Sequence, residues 1–357
     1  MSVKEAMVKR VDDLADVLLE ASHDIHAHPE LAFDEHHAHE VLTGILEREG
    51  VDVTRGAFGM DTAFDATVGA EGTTVAVCLE YDALPGVGHA CGHNIIATAG
   101  LGAGLAAAAL AADAGGRVRI LGTPAEERGN GKQRAIDAGA LQGVDLAMMV
   151  HPADADLTSM DAIAFVEYDV EFFGEAAHAA AFPQLGRNAL DAAVLAYNGV
   201  AALRQHIAST DRVHGIFREA GERPNIVPEH TTMEWMVRTM TRAGLASLVA
   251  RVTACFDAGA AATGCRCEYR EAYPPLDDVV NNETMLALYG ANVAALGRPA
   301  RRPGVDGHRV VASTDMGNVS KVVPSIHPMI RVAPAGVPIH SHQFVEHARS
   351  SAGDEAV

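Results

Sequence analysis

The spacing of apolar residues divides the first part of the chain into alternating strands and helices. Short apolar runs that fit buried strands are separated by segments in which apolar residues recur every three to four positions, as on one face of a helix. The helices predicted for this part are 4–22, 36–49, an alanine-rich helix from about residue 94, and 132–138; the predicted strands are 65–68, 74–79, 117–121 and 145–150. Strands that alternate with helices favour an α/β sheet covered by helices on both faces.

The pattern changes near residue 163, where strands and helices follow each other with a different spacing. The elements predicted from here are strand 164–173, helix 188–206, strand 231–239, helix 243–261 and strand 266–272. The first pattern then returns, with a helix near 283–296 and a strand at 328–333. We therefore predict a discontinuous main domain, 1–162 and 276–357, into which a smaller α+β domain, 163–275, is inserted.

Polar residues follow three of the predicted strands of the main domain. Asp82, the pair Glu126 and Glu127, and His151 each come after a different apolar strand. Ligands of open α/β sheets bind beyond the carboxyl ends of the strands. We therefore expect these four side chains to lie together at one edge of the sheet.

The loop before the alanine-rich helix carries a thiol and two imidazoles, in His89, Cys91 and His93. Gly92 allows the tight backbone that would aim the side chains on either side of it at one point. Thiolate, imidazole and carboxylate together suit borderline divalent metals such as zinc, cobalt or manganese. The alternative for this loop is a buried cysteine beside a histidine that caps the helix.

The adjacent carboxylates of Glu126 and Glu127 are costly to bury without a cation. One of them could bind a metal while the other takes a proton from a water molecule that the metal activates. The alternative is an exposed acidic turn, because Arg128 and Gly129 follow.

The remaining histidines differ in how well they fit such a site. His151 follows an apolar strand and precedes a proline, so it is either a ligand or a core histidine. His340 and His342 face the same side of an extended segment, and the sequence alone does not say which is the ligand. Six histidines near the N-terminus are expected to be mostly solvated: His23, His26, His28, His36, His37 and His39. A Cys91 nucleophile would leave the glutamate pair and His151 without a role.

Composition narrows the class of protein further. The net charge of −20 argues against nucleic acid or an anionic membrane as partner. The apolar run 95–112 is mostly alanine and glycine, which favours a buried helix over a membrane span. Five cysteines and a start that leads directly into a charged helix indicate reduced thiols and a cytoplasmic protein without a secretion signal.

Taken in order, these segments resemble the aminoacylase and glutamate-carboxypeptidase family of metal-dependent amidohydrolases (metallopeptidase family 20), in the branch with a cysteine ligand. The matching segments are HAHPEL at 26–31, DALP at 82–85, HACGH at 89–93, PAEE at 124–127, HP at 151–152, the stretch 174–191, and His340 with Phe344. CGHN at 91–94, GTPAEE at 122–127 and STDMGNVS at 313–320 are most similar to the dipeptidases of the peptidase domain-containing protein 2 group.

The resemblance implies a zinc-peptidase-like α/β/α catalytic domain with an inserted ferredoxin-like domain that serves as lid and dimer contact. It assigns the site as follows: Cys91, His93, Glu127, His151 and His340 as ligands of one or two divalent ions, Glu126 as general base, Asp82 as the carboxylate that orients a ligand, His178 as oxyanion stabiliser, typically across a dimer, and Asn225 as a substrate contact. The implied reaction is attack of metal-bound hydroxide on an amide carbonyl.

The resemblance predicts a cytoplasmic homodimer that hydrolyses a small dipeptide or N-acyl amino acid. An aminobenzoyl-glutamate or N-acyl-amino-acid hydrolase is the second hypothesis, and a catalytically silent binding or scaffold protein is the third. Three departures from the family pattern stand out. Asn94 replaces an aspartate common in the branch, the segment 128–131 is less rich in glycine, and only 17 residues follow His340, from which we expect a shortened C-terminus.

Overall fold

The computed structural model describes residues 2–69, 71–304 and 311–357 and separates the chain into two compact units. The first, here called the discontinuous unit, comprises Met1–Asp161 and Val279–Val357. The second, the inserted unit, is Ala162–Asp278. The boundaries predicted from the sequence lie one residue from the first junction and three from the second.

The discontinuous unit contains the alternating elements that the apolar pattern predicts. Its helices are Val3–Ala27, His36–Arg48, His93–Ala108, Ala111–Ala114, Gly131–Asp137, Glu283–Ala295, Met316–Val322, His342–His347 and Ser351–Asp354, with a 3₁₀ turn at Ala57–Gly59. Its strands are Val53–Arg55, Phe64–Val68, Thr73–Leu79, Gly116–Gly122, Leu146–Met148, His151–Ala153, Val311–Ala312, Ser325–Ile326 and Met329–Arg331, and the two-residue strand Asp161–Ala162 lies at the junction with the inserted unit.

Six of these strands form the central sheet. Its spatial order is Val53–Arg55, Phe64–Val68, Gly116–Gly122, Thr73–Leu79, Leu146–Met148 and Ser325–Ile326. The last four are parallel to one another, whereas Phe64–Val68 runs antiparallel to both of its neighbours near one edge. The predicted α/β class is confirmed, and the antiparallel edge is an addition that the pattern did not foresee.

Both faces of the sheet are covered. Successive side chains of the strand Thr73–Leu79 point into two different apolar cores, one on each face. Val77 and Leu79 pack into a core shared with the helix Val3–Ala27. Ala76 and Cys78 point the other way, into a core shared with Met316–Val322. Because side chains alternate between the two faces of a strand, an apolar run in such a strand must be continuous rather than alternating.

One predicted strand is shorter than expected. Only Leu146–Met148 of the predicted 145–150 pairs within the central sheet. The chain then begins a separate short strand, His151–Ala153, which pairs in parallel with Met329–Arg331. His151 is therefore the first residue of a new strand rather than a residue beyond the end of the old one.

The inserted unit is a four-stranded antiparallel sheet covered by two helices. Its strands lie in the order Arg266–Glu271, Ala164–Phe173, His230–Thr239 and Arg212–Glu219, and its helices are Ala189–Leu203 and Arg242–Thr263, with 3₁₀ turns at Pro183–Leu185 and Arg204–His206. Along the chain the elements run strand, helix, strand, strand, helix, strand, which is the ferredoxin-like order.

The edge strand Arg212–Glu219 was missed from the sequence, and its composition explains why. Most of its side chains are exposed, so it lacks an apolar run. Gly215 interrupts it because a Cβ there would lie 2.3 Å from the indole of Trp235. Gly215, which interrupts the apolar pattern of the strand, is thus needed to make room for the buried indole of Trp235.

The helix Arg242–Thr263 has the length and composition of a membrane span, the one such helix in the described part of the chain. Its apolar residues Leu245, Leu248, Val252 and Phe256 are nevertheless buried in the core of the inserted unit. The helix therefore fits a core helix of a folded domain.

Candidate metal centre

The residues predicted to meet at the edge of the sheet do so, each placed by a different element. Asp82 follows the strand Thr73–Leu79, and Glu126 with Glu127 follows Gly116–Gly122. The two glutamate side chains are only 9% exposed, which does not fit an acidic surface turn.

Gly92 sets the direction of the helix that carries His93. It adopts a φ of +75°, which favours glycine, and the helix His93–Ala108 begins directly after it. A Cβ at this position would lie 2.5 Å from Cγ of Pro152, the residue after His151. The glycine therefore allows the Cys91–His93 segment and the His151 segment to approach each other.

Cys91 is shared by two groups of potential ligands. Its Sγ lies 3.4 Å from His151 Nε2 and 3.4 Å from His340 Nε2. One group is Cys91, His93 and His151, and the other is Cys91, Glu127 and His340; within each group the ligand atoms lie within 4.8 Å of one another. His340 Nε2 is 3.4 Å from Glu127 Oε1. These separations fit atoms that share a metal ion.

Two of the imidazoles are oriented by hydrogen bonds from their other nitrogen. His93 Nδ1 donates to Asp82 Oδ1 at 3.0 Å, and His151 Nδ1 donates to the carbonyl oxygen of Pro152 at 2.7 Å. Both rings thus direct Nε2 towards the cluster, the arrangement that fixes the tautomer of a metal-binding histidine. The other oxygen of Asp82 accepts from the backbone N–H of Glu127 at 2.9 Å, so one carboxylate positions two candidate ligands.

The buried polar atoms of the cluster fit a cation. Within the described residues, His93 Nε2 and Glu127 Oε1 are buried and have no hydrogen-bond partner. Burial and the Glu127 carboxylate raise the pKa of the Cys91 thiol well above its ordinary value. Burial, followed by the nearby carboxylates of Glu80 and Glu127, raises the pKa of Glu126 in the same way. A divalent ion would favour the thiolate and carboxylate forms, so the donor set fits one.

The loop that carries the glutamate pair is held in an unusual conformation. Ala125 has a φ of +62°, in the left-handed region that disfavours residues with a Cβ. Its N–H donates to Glu35 Oε1 at 2.8 Å, and Thr62 Oγ1 donates to the other oxygen of Glu35 at 2.8 Å. Glu35 is fully buried, and burial together with Asp82 raises its pKa to about 7. This carboxyl group therefore pins the backbone beside Glu126.

His340 is also held in the left-handed region. Its φ is +64°, and its N–H donates to the carbonyl oxygen of Ala90 at 2.8 Å, next to Cys91. The backbone bond brings the C-terminal segment to the thiol loop. His342, the alternative ligand, is the first residue of the helix His342–His347, is exposed, and belongs to no candidate group among the described residues.

The structure thus brings seven of the nine predicted site residues into one cluster: Asp82, Cys91, His93, Glu126, Glu127, His151 and His340. His178 and Asn225 belong to the inserted unit, where the N–H of Ala179 donates to the carbonyl oxygen of Asn225 at 3.1 Å. Both side chains are exposed. Their predicted roles stay predictions.

Sequence reasoning missed several buried polar residues around the cluster: Glu35, Glu80, Lys132, Asp315 and His327. His327 stacks on His151 with ring centroids 5.5 Å apart. A signal existed for Glu80, which is two residues before Asp82, and for Asp315, which lies in a segment already matched to the family. Lys132 gave none, because a lysine in the first turn of a helix is ordinarily exposed.

The expectation that most of the N-terminal histidines are solvated is wrong for His39 and only partly met by three others. His39 is buried, and His23, His26 and His37 are half-buried. His26 Nε2, for example, donates to the carbonyl oxygen of Val345 at 2.9 Å, and His23 pairs with Asp354. The C-terminal segment therefore covers part of the surface of His23 and His26.

Comparison with known proteins agrees with the geometry. Residues 64–351 match Peptidase family M20/M25/M40. The chain is 38% identical to the mouse Xaa-Arg dipeptidase, covering 98% of this chain and 84% of the relative. It is 29% identical to one of the subunits of the p-aminobenzoyl-glutamate hydrolase of Escherichia coli, covering 97% of this chain and 86% of that relative.

Solved structures share the fold. The aminobenzoyl-glutamate utilization protein of Klebsiella pneumoniae superposes with a TM-score of 0.76 at 20% identity, over 98% of this chain and 97% of that one. A Bacillus subtilis dinuclear metal-binding peptidase of family M20 gives 0.71 at 19%, over 97% and 98%. The predicted family is confirmed: the chain belongs to Peptidase family M20/M25/M40 and is a metal-dependent hydrolase of peptide or amide bonds.

Proposed function

We propose that the chain is a dipeptidase whose cluster would hold two divalent ions, with Cys91 common to the two groups of candidate ligands. The observation that supports this most directly is the pair of three-residue groups with a common thiol, one completed by His93 and His151 and the other by Glu127 and His340. Divalent ions in such a site act as Lewis acids towards the amide carbonyl and activate water. The mixed sulfur, nitrogen and oxygen donors favour zinc, manganese or cobalt.

The remaining residues supply proton transfer and orientation. Glu126 has an oxygen 4.0 Å from His93 Nε2, beside the ligands but in neither group that contains Cys91. It is placed to take a proton from the attacking water and to pass it to the leaving amine. If both glutamates bound metal, neither carboxylate would be free to carry that proton. Asp82 accepts hydrogen bonds from His93 and from the Glu127 backbone N–H and so fixes the positions of both relative to Glu126.

The substrate that we propose is a dipeptide, with a basic C-terminal residue tested first. The mouse and human relatives at 38% and 37% identity are Xaa-Arg dipeptidases. The net charge of −20 is compatible with a cationic substrate. An aminobenzoyl-glutamate or N-acyl-amino-acid hydrolase is the second candidate, because the Escherichia coli hydrolase subunit matches along nearly the whole chain.

We propose that His178 stabilises the developing oxyanion and that Asn225 contacts the substrate. The Nδ1 atom of His178 accepts from the backbone N–H groups of Ala180 and Ala181 at 3.3 and 3.2 Å. With Nδ1 accepting, the N–H of the ring lies at Nε2, where it can donate to an oxyanion. The exposed position of both side chains in the inserted unit is compatible with these roles.

We further propose that the chain is a homodimer and a cytoplasmic protein. Large apolar side chains are exposed on the inserted unit, among them Phe182, Leu185, Val194, Leu195 and Ile226. Exposed apolar side chains of this size are compatible with a protein interface, and light scattering of Leu185→Ser against wild type tests for one. All five cysteines are unpaired, as in a reducing compartment, and cell fractionation tests that location.

The decisive experiment compares Glu126→Ala with wild type on a substrate panel of Xaa-Arg dipeptides, β-alanyl dipeptides, aminobenzoyl-glutamate and N-acyl amino acids. Loss of the base should lower turnover about 10²- to 10⁴-fold on whichever substrate is cleaved, with metal content and thermal unfolding unchanged. Glu20→Ala, on an exposed face of the first helix, is the matched control and should be fully active. Wild-type inertness to the whole panel after metal loading would contradict the proposal.

A further inference from the structure

Glu80 is a buried carboxylate whose two oxygens have different surroundings. It directly follows the strand Thr73–Leu79 and has no exposed surface. Oε1 accepts a hydrogen bond from Lys132 Nζ. Oε2 has no hydrogen-bond partner within the described part of the chain, although it is buried.

The lysine that holds Glu80 is shared with a second carboxylate. Lys132 Nζ donates to Asp315 Oδ1 at 2.6 Å, and the Lys132 backbone N–H donates to Asp315 Oδ2 at 2.9 Å. Asp315 immediately precedes the helix Met316–Val322. One ammonium group between two carboxylates leaves this buried triad with one excess negative charge. Lys132 therefore fixes Glu80 in position but cannot neutralise it completely.

The free oxygen of Glu80 is directed at the metal centre. It lies 3.5 Å from His93 Nε2, which also has no hydrogen-bond partner among the described residues. Glu80, His93 and Glu126 offer ligand atoms that lie within 4.8 Å of one another. Two ligand atoms about 2.0–2.1 Å from one tetrahedral ion stand about 3.4 Å apart. The Glu80–His93 separation therefore has the length expected of two ligands on the same ion.

A purely structural role explains less of this arrangement. Asp315 alone already pairs with the lysine side chain and with its backbone N–H. A second buried carboxylate adds desolvation cost, and an oxygen without a partner adds more. A cation beside His93 would offset both costs.

We propose that Glu80 is a further metal-binding residue of this centre, presented to the ion beside His93 by the Lys132–Asp315 pair. The inference rests on the metal centre proposed above and adds to it a ligand that no sequence motif assigned. It also gives the Lys132–Asp315 pair a function, because the pair holds the side chain of Glu80 in the orientation that the ion requires.

Glu80→Gln tests the inference because the amide can still accept from Lys132 through Oε1 while its charge is lost. Metal-free wild type and variant are titrated with Co²⁺ and Zn²⁺ in competition with a chromogenic chelator, and the visible spectrum of the cobalt form is recorded. We expect one of the two equivalents to bind about 10- to 100-fold more weakly in the variant, with a shifted cobalt spectrum. Thermal unfolding of the metal-free protein should change little.

Two further variants separate ligation from folding. Asp65→Asn removes a carboxylate that is paired with Arg119 in the same sheet and belongs to no candidate metal group among the described residues, and it should leave both affinities unchanged. Glu80→Asp keeps the charge but retracts the oxygen, so it should weaken the same equivalent even where Glu80→Gln does not fold.

Three results would overturn the inference. Unchanged affinity and cobalt spectrum in Glu80→Gln, with lower metal-free stability, would reduce Glu80 to a partner of Lys132 and leave the proposed function intact. If Glu80→Gln does not fold, wild-type affinity at both equivalents in Glu80→Asp would do the same. Wild-type protein that binds no ion would overturn the metal centre itself, and the Glu80 inference with it.

Discussion

The two units of the chain are built from opposite kinds of interior. The discontinuous unit buries ionisable side chains close to one another, with Glu80, Asp82, His93 and Lys132 all withdrawn from solvent. The core of the inserted unit is apolar and is dominated by alanines and by large residues such as Trp235. Every candidate metal group among the described residues lies in the discontinuous unit.

This difference shows where stability comes from in each unit. Apolar burial is the main stabilising contribution that the core of the inserted unit offers. In the discontinuous unit buried carboxylates outnumber the buried lysine, and desolvation opposes folding unless a cation is present. One unit should therefore be stable by packing alone, whereas the other should depend on bound metal.

A substitution in the apolar core of the inserted unit should change stability most. Phe256 is fully buried between the helix Arg242–Thr263 and the sheet, and it contacts Trp235 with ring centroids 5.6 Å apart. Phe256→Ala should lower the free energy of unfolding of the inserted unit by about 3–5 kcal/mol. Urea unfolding followed by the fluorescence of Trp235, the single tryptophan, measures it. Metal content should stay at the wild-type value. A loss of metal would show that metal binding depends on the core of the inserted unit.

Removal of metal is the complementary test and should have a somewhat smaller effect. An ion present at 100 times its dissociation constant stabilises the folded state by about 2.7 kcal/mol. Chelation should therefore lower the calorimetric transition of the discontinuous unit while the Trp235 transition stays in place. Equal shifts of both transitions would contradict this prediction, because the inserted unit would then depend on metal as well.

The pH dependence of Glu35 gives the smallest of the three effects. Burial raises the pKa of Glu35 to about 7 from an ordinary 4.5, so the folded chain keeps a proton that the unfolded chain releases. Its contribution to stability is full below about pH 4.5 and is lost as the pH rises towards 7. Over that window the free energy of unfolding of wild type should fall by about 2 kcal/mol relative to that of Glu35→Gln. Parallel stability curves for the two proteins in chemical unfolding would contradict this.

Sequence reasoning found candidate ligands because their signals are local. Cys91 and His93 flank a glycine, and Glu127 and His151 come after predicted apolar strands, which marked them as candidates. The assignment of ligand roles, and the choice of His340 over His342, came from the family resemblance. The class of the fold followed from the same apolar periods, which depend only on burial of a strand or of one helix face.

What the sequence could not show depends on contacts between distant segments. Glu35 is 90 positions from the Ala125 N–H that it accepts from, and Lys132 is 183 from Asp315. The spacing of apolar residues along the chain does not indicate which distant residues will pair. The edge strand Arg212–Glu219 was missed for a related reason, because its glycine is explained only by the indole of Trp235 packed against it.

The buried cluster of the discontinuous unit is proposed to bind divalent metal, and the first quantity to measure is therefore the metal content per chain. Protein purified without chelators or a His tag is analysed by mass spectrometry, with Glu127→Ala prepared in parallel. We expect up to two equivalents of zinc, manganese or cobalt per wild-type chain and fewer in the variant, with correct folding of both. No metal in either protein, even after incubation with excess ions, would contradict it.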